Sequence, residues 1–312
     1  IFYVGEKPWH GIGTELANPA TSKEAIMASR LDYNITLQDI FLSNGEQIEG
    51  AKATVREDNG KSLGLVTGKY KIIQNVECFE FFDSVVAEKL AMYHTAGALG
   101  DGERIWILAK LPDNIIIAGV DEVEKYLLLT NSHDGKSALS MFFTPVRVVC
   151  QNTLSMSLRD KGNGISIRHM GNIQGKVDEA RKVLGITIDF YKLLEQEGNA
   201  LADRKVNSEE VNKYFDKVLG LEGKEIDEIS TRSDNIKGRL KNLFENGEGH
   251  QQPAIKHSAW TMYNAVTQYV DHERTVKGLQ KNPANKLNSI WLGSGANMKA
   301  KAYKEALELV NA

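Results

Sequence analysis

The sequence predicts an α+β fold in which an antiparallel β-meander sheet with crossing helices precedes a mainly helical C-terminal half. In the first half, segments rich in β-branched and aromatic residues alternate with glycine-containing turns, whereas in the second half apolar residues recur at helical spacing. The chain of 312 residues is long enough for two ordinary domains. We divide it into an N-terminal arm (1–20), an α+β domain (21–171) and a helical C-terminal region (172–312).

The first elements follow from helix caps and turn signals. Residues 1–20 mix aromatic residues with glycines and predict an irregular arm, after which Thr21 or Ser22 caps a short helix that ends at Ser29. Ser-Asn-Gly and Asp-Asn-Gly turns separate three strands of a predicted antiparallel meander, which cover residues 33–42, 51–56 and 62–73. We expect the amphipathic helix over 75–90 to lie on this meander.

More strands and then helices follow. Glycine turns separate the strands of two further predicted hairpins, which cover 93–99 with 103–111 and 124–131 with 137–143. Residues 145–157 predict a strand that turns into a helix near Asn152. Periodic apolar residues then predict helices over 174–202, 208–219, 259–274 and about 297–310. Residues 246–253 have the composition of a loop.

The composition excludes several classes of protein. Hydrophobic residues make up 42% of the chain and charged residues 25%, as in soluble globular proteins, and no stretch is apolar for the length of a membrane span. Cys78 and Cys150 are far apart and no histidine pair has ligand spacing, which argues against a zinc site and a disulfide scaffold. The acids Asp121, Glu122 and Glu124 are interpreted as a solvated hairpin entry. We therefore expect a cytoplasmic protein without metal or cofactor.

Positive charge is concentrated near the C-terminus. Residues 251–304 contain eight basic and two acidic residues, a net charge of +6, which predicts a surface for an anionic partner or, alternatively, a solvated helical face. The candidate nucleic-acid-binding residues are Lys69, Lys71, Arg147, Arg168, Lys286, Lys299 and Lys301. For Arg147 and Arg168 the alternative is an internal salt bridge. The Gly-Ser-Gly turn at 293–295 could also present backbone amides to a phosphate, aided by Lys299 and Lys301.

A cysteine-dependent enzyme is the alternative function. Cys150 could be its nucleophile, His133 or His169 its base, and Asn152 the group that orients the base. Cys150 ends the apolar run 146–150, however, and burial raises the pKa of a thiol and makes it inert. We therefore favour a structural cysteine and a turn-stabilising His133, and assign no catalytic residue.

Several stretches carry a family resemblance over nearly the whole chain. They are VGEKPWHGIGTEL near the start, TNSHDGKSAL and FTPVRVVCQNTL in the centre, SIRHMGNI after it, and YNAVTQYVDHERTVKG and SIWLGSGANMKAKAYKEALEL towards the end. Together they resemble the phage/plasmid-like protein family of unknown function (domain of unknown function 932). The resemblance implies a mobile element in a bacterial cytoplasm, and it brings no assigned activity.

A second resemblance concerns the order of elements. A short helix, a three-stranded meander and an amphipathic helix over residues 21–90 are similar to the core of single-strand annealing proteins of recombination. That resemblance implies rings or filaments that hold single-stranded DNA in a basic groove and pair it with a complementary strand. We therefore expect an oligomeric protein that binds and anneals single-stranded DNA in recombination or replication. A structural or host-interaction protein without a ligand is a third hypothesis.

Overall fold

The computed structural model describes most of the chain, namely residues 1–4, 13–18, 20–86, 91–149, 152–154, 164–166, 173–276 and 284–311. The chain forms two compact units that interleave along the sequence. We call the first the sheet unit, which comprises Ile1–Pro112, Tyr126–Phe143 and Gly164–Thr187. The second, the helical unit, comprises Asp113–Lys125, Thr144–Asn163 and Ile188–Ala312. The units therefore do not follow the division near residue 171 that composition suggests.

The secondary structure confirms the predicted α+β class, with antiparallel sheets first and a helical C-terminal half. The strands are β1 (Phe2–Val4), β2 (Thr14–Leu16), β3 (Ile35–Phe41), β4 (Gln47–Arg56), β5 (Ser62–Thr67), β6 (Met92–Leu99), β7 (Arg104–Lys110), β8 (Ile115–Ile117), β9 (Asp121–Glu124), β10 (Tyr126–Ser132), β11 (Ser140–Phe143), β12 (Val146–Arg147), β13 (Asn152–Thr153) and β14 (Gly164–Ser166). The helices are α1 (Ser22–Ala28), α2 (Asn75–Val86), α3 (Ile173–Asp203), α4 (Ser208–Leu219), α5 (Thr231–Asn246), α6 (Ala259–Gln268), α7 (Ala284–Trp291) and α8 (Ser294–Val310).

A seven-stranded sheet forms the core of the sheet unit, in the order β14-β11-β10-β7-β6-β1-β2. The two predicted hairpins are present, because β6 pairs antiparallel with β7 and β10 pairs antiparallel with β11. Every residue of β10 is buried, including the three polar residues Thr130, Asn131 and Ser132 that follow its apolar half. The helix α2 contacts this sheet, since the rings of Phe79 and Phe82 lie 5.8 and 5.7 Å from that of Tyr93 on β6.

The predicted meander is confirmed as a separate antiparallel sheet, β3-β4-β5. Its turns contain Gly45 and Gly60, which have positive φ angles of 87° and 71°. Another glycine, Gly64, lets the turn after β10 approach closely, because a Cβ there would lie 2.7 Å from the Cα of Asp134. The strand predicted over 62–73 ends earlier, at Thr67.

The prediction of an irregular arm over residues 1–20 is wrong for two segments. β1 pairs antiparallel with β6 and parallel with β2, so both strands extend the large sheet. Phe2 has no exposed surface, and its carbonyl accepts a hydrogen bond from the Thr95 hydroxyl. The pairing joins residues more than ninety positions apart, and local composition carries no signal for it.

The helical unit packs a small antiparallel sheet, β13-β12-β9-β8, with α4 to α8 and the C-terminal part of α3. The helix predicted over 208–219 is confirmed, with Asn207 rather than Ser208 as its cap; Asn207 and Glu210 form a capping box. The predicted helix near Asn152 is wrong, because Asn152 and Thr153 pair with Arg147 and Val146 as a strand.

Three further helical features differ from the sequence predictions. α5 and α7 were not predicted, and α5 is polar at most positions, which hides its buried face formed by Leu240, Leu243 and Phe244. The helix predicted from about 297 begins at Ser294 as α8. Within the described residues, no helix has the length and apolar character that crossing a membrane requires.

Candidate functional site

The β12–β13 hairpin contains two residues that the sequence marks as candidates, Arg147 and Asn152. β12 is hydrogen-bonded on one side to β9 and on the other to β13, so Arg147 has Val123 and Asn152 as its cross-strand neighbours. Side chains that face each other across paired strands point to the same side of a sheet. Arg147 and Asn152 therefore share one face, and Thr153 points to the other.

Arg147 lies in a buried ion pair. Its Nε donates to Asp121 Oδ2 at 2.5 Å, its Nη1 donates to the Glu248 carbonyl at 2.8 Å, and neither charged side chain has exposed surface. Trp260 Nε1 donates to the same carboxylate oxygen at 2.6 Å. The internal salt bridge considered for Arg147 is thus present, and an external phosphate would have to displace a buried carboxylate that is already hydrogen-bonded. Asp121 is not part of a solvated hairpin entry, although Glu122 beside it is exposed.

Lys299 lies in a second buried ion pair. Its Nζ donates to Asp271 Oδ1 at 2.9 Å and to the Thr153 carbonyl at 3.0 Å, and neither charged side chain is exposed. Asp271 Oδ2 accepts from the Thr153 amide at 2.6 Å, which ties β13 to the same carboxylate. Burial lowers the pKa of Lys299, whereas Asp271 opposes that change. This lysine holds the hairpin in place and does not face solvent.

Two partly exposed cations, Arg274 and Lys286, lie where α8 begins. Arg274 Nη2 donates to the Ser294 hydroxyl at 3.1 Å, and Lys286 Nζ donates to the Arg274 carbonyl at 2.8 Å. Burial lowers the pKa of Lys286, the charge of Asp271 raises it, and the charge of Arg274 lowers it. We call Arg274, Lys286 and Ser294 the α8 cation cluster.

No carboxylate forms a direct ion pair with Arg274 or Lys286 within the described part of the chain, although the charge of Asp271 acts on Lys286. Glu273 is held by Arg239 in two contacts of 2.6 Å, and Asp271 is held by Lys299. Arg274 Nη1 is buried and has no hydrogen-bond partner among the residues that the structure describes. Gly293, the N-cap of α8, has no side chain to satisfy the first amides of the helix. Two cations beside a helix start that no described side chain caps form an environment that favours an anion.

The remaining predicted basic residues are distributed as follows. Lys69 and Lys71 are exposed just after β5 in the sheet unit. Lys301 is exposed on α8 and donates to the Lys217 carbonyl. Arg168 lies outside the described residues. Of the six predicted side chains that the structure describes, Lys69, Lys71, Lys286 and Lys301 have surface to offer a partner.

The residues of the alternative cysteine enzyme are only partly described. Cys150 and His169 lie outside the described residues, and His133 and Asn152 belong to different units. His133 is fully buried, and its Nε2 is 2.8 Å from Asn75 Oδ1. Burial lowers the pKa of His133 to about 4. The other cysteine, Cys78, is buried in α2, where burial raises the pKa of its thiol.

Sequence reasoning missed Arg274 and the two buried aspartates. Asp121 and Arg147 are separated by 26 positions, and Thr153 and Asp271 by 118, so only the fold brings them together. Arg274 could have been found as a cation in the basic block, but nothing local indicates that it lies beside the start of α8. Across the described residues, no group of three or more histidine, cysteine or acidic side chains could hold a metal ion.

Comparison with known proteins identifies one family. The family model described as a domain of unknown function, DUF932, matches residues 62–291, which is about three quarters of the chain. No curated protein and no solved structure matches the sequence. The match includes the β6–β7 and β10–β11 hairpins and the buried ion pair of Asp121 with Arg147. It also includes Asp271, Arg274 and Lys286, whereas Lys299 lies beyond its end.

Proposed function

Because the chain belongs to the DUF932 family, whose description assigns no activity, we propose a function from the charges that its fold leaves accessible. The protein binds single-stranded DNA and anneals complementary strands as a homo-oligomer, in recombination or replication of a phage or plasmid. It acts in the cytoplasm of the bacterial host. The proposal needs a site for backbone phosphates, a surface for bases and a route to oligomers.

The α8 cation cluster is the observation that carries the proposal. Arg274 and Lys286 lie next to each other, neither forms an ion pair with a carboxylate among the described residues, and the repulsion between two neighbouring cations favours an anion between them. A phosphate there would accept hydrogen bonds from Arg274 Nη1 and from the first amides of α8. Lys286 is one of the candidates that the sequence predicts, and the structure places a second cation, Arg274, beside it.

The meander supplies a second feature that supports binding of a single strand. Lys69 and Lys71 are exposed, and two large apolar side chains of the same sheet, Phe41 and Leu65, are 59% and 69% exposed. Nucleobases stack on exposed aromatic side chains while nearby lysines attract the backbone. The order of helix, meander and helix over α1 to α2 supports annealing as the activity, through its resemblance to single-strand annealing proteins.

Binding of a labelled single-stranded oligonucleotide, measured by fluorescence anisotropy across a salt series, tests the proposal. The logarithm of the binding constant should fall with the logarithm of salt concentration, by about 0.7 for each phosphate contact. Replacing Arg274 and Lys286 together by glutamine should therefore reduce the slope by about 1.4. Lys241→Gln, which changes an exposed lysine on α5, is the matched control. Absence of binding, or a slope that the double variant leaves unchanged, would refute the proposal.

Electron microscopy of the purified protein, with and without oligonucleotide, tests the oligomeric part separately. Rings or filaments are expected, because annealing by this mode holds one long strand across many subunits. Monomers under both conditions would remove the oligomer from the proposal and leave DNA binding to be judged by the salt series.

A further inference from the structure

A buried polar cluster around Arg147 in the helical unit contains several atoms without hydrogen-bond partners. Asn152 faces the same side of the small sheet as Arg147 and has no exposed surface. Neither its Oδ1 nor its Nδ2 has a hydrogen-bond partner in the described part of the chain. Buried polar side chains are almost always hydrogen-bonded, and an unpaired amide in a protein interior is costly. A wholly buried amide with both ends unpaired therefore requires an explanation.

His250 adds a hydrogen-bond acceptor to this cluster. It follows Gly249, where a Cβ would lie only 2.9 Å from Arg147 Nη2, so the histidine is next to the guanidinium. His250 Nδ1 is 2.8 Å from the Leu243 carbonyl, which can only accept, so Nδ1 carries the proton. Burial and the charge of Arg147 lower the pKa of His250 to about 4, and the ring is neutral at neutral pH. Its Nε2 is therefore an acceptor, and it is buried without a partner.

Asp121 supplies a second acceptor and fixes the charge of the cluster. Its Oδ2 accepts from Arg147 and Trp260, whereas its Oδ1 is buried and unpaired. The carboxylate and the guanidinium neutralise each other, so a further ion of either sign would meet a like charge at short range. Whatever hydrogen-bonds to this cluster should therefore be uncharged.

We propose that Asp121, Asn152 and His250 form a binding site for a small uncharged molecule that donates N–H or O–H hydrogen bonds to Asp121 Oδ1 and His250 Nε2. The Asn152 amide can both donate to and accept from the same molecule. Two sources have this chemistry: internal water, and the amino-bearing edge of a nucleobase. The second source rests on the proposed function, whereas the first does not.

The nitrogen NMR spectrum of His250 in the full-length protein tests the proposal directly. An unprotonated imidazole nitrogen resonates at higher field when it accepts a hydrogen bond than when it is free. The signal is identified by its Nδ1–H tautomer and by its loss in His250→Gln. The tautomer also separates it from the buried His133, whose Nε2 faces the amide oxygen of Asn75. The chemical shift is measured in the wild-type protein, so this test does not depend on whether a variant folds.

Two nucleosides, adenosine and purine riboside, distinguish water from a nucleobase as the hydrogen-bond donor. If water is the donor, Nε2 gives the hydrogen-bonded signal in the free protein. If a base is the donor, the signal is free-like without ligand and moves to higher field with adenosine, but not with purine riboside, which lacks the amino group. Either result supports the site. A free-like signal under all conditions, or an equal response to both nucleosides, overturns it.

Asn152→Leu provides an independent readout. Leucine has a similar size and no polar atoms, so it should lower the melting temperature if Asn152 is hydrogen-bonded through a bound molecule. It should raise the melting temperature if the amide is truly unpaired, and that result would overturn the proposal. Asn264→Leu is the control, because Asn264 is equally buried but donates directly to the Trp260 carbonyl at 2.9 Å.

Discussion

Acidification should weaken both units, because the described residues of each include a buried histidine that is neutral in the folded state. Burial lowers the pKa of His133 in the sheet unit and of His250 in the helical unit from 6.5 to about 4. At a pH between the folded and the unfolded pKa, the unfolded chain binds more protons than the folded chain. The stability that each neutral histidine contributes is therefore fully present above the unfolded pKa of 6.5, and it is lost as the pH falls towards the folded pKa of about 4. From about pH 7 to about pH 5, each histidine should cost roughly 2 kcal/mol of unfolding free energy.

Urea denaturation followed by tryptophan fluorescence and circular dichroism, at these two pH values, measures the effect. His133→Gln or His250→Gln should each reduce the pH-dependent loss by roughly 2 kcal/mol, even if the variant is less stable at neutral pH. His272→Gln, which changes an exposed side chain, serves as the control. Equal stability of the wild-type protein at both pH values would refute the reasoning. So would a buried-histidine variant that retains the full loss.

Three substitutions test the packing that the structure assigns. Lys299→Met breaks a buried ion pair and should lower the free energy of unfolding by about 3–5 kcal/mol in urea denaturation; a loss below about 1 kcal/mol contradicts the pairing. Gly64→Ala places a Cβ against the Asp134 backbone and should cost about 1–3 kcal/mol, whereas Gly68→Ala meets only ordinary contacts and should not. Asn207→Ala removes a capping box and should cost about 1 kcal/mol by thermal unfolding; an unchanged melting temperature argues against the cap.

The sequence predicted those strands and helices whose caps, turns and side-chain alternation lie within one short segment. The meander and both hairpins could be placed because their glycine turns and alternating side chains occupy short stretches of sequence. The cap of α4 was misplaced by one residue, because Asn207 and Ser208 are both good caps and only the bond to Glu210 decides between them. The short strand β1 could not be found, since its partner β6 lies far along the chain.

The candidate site depended on long-range pairing that the sequence does not reveal. Arg147 and Lys299 were reasonable anion-binding candidates, because a cation among apolar residues needs a negative partner. Their partners are internal carboxylates, Asp121 and Asp271, which the fold brings from distant segments. Lys286 remained accessible because the carboxylates nearest to it were already paired.

Annealing of two complementary oligonucleotides, one carrying a fluorophore and the other a quencher, tests the central claim most directly. The measurement follows fluorescence loss with wild-type protein, with the Arg274→Gln/Lys286→Gln variant and without protein, at low salt. We expect the wild-type protein to accelerate annealing over the spontaneous rate and the double variant to anneal more slowly than the wild type. A rate with wild-type protein equal to the spontaneous rate would contradict it.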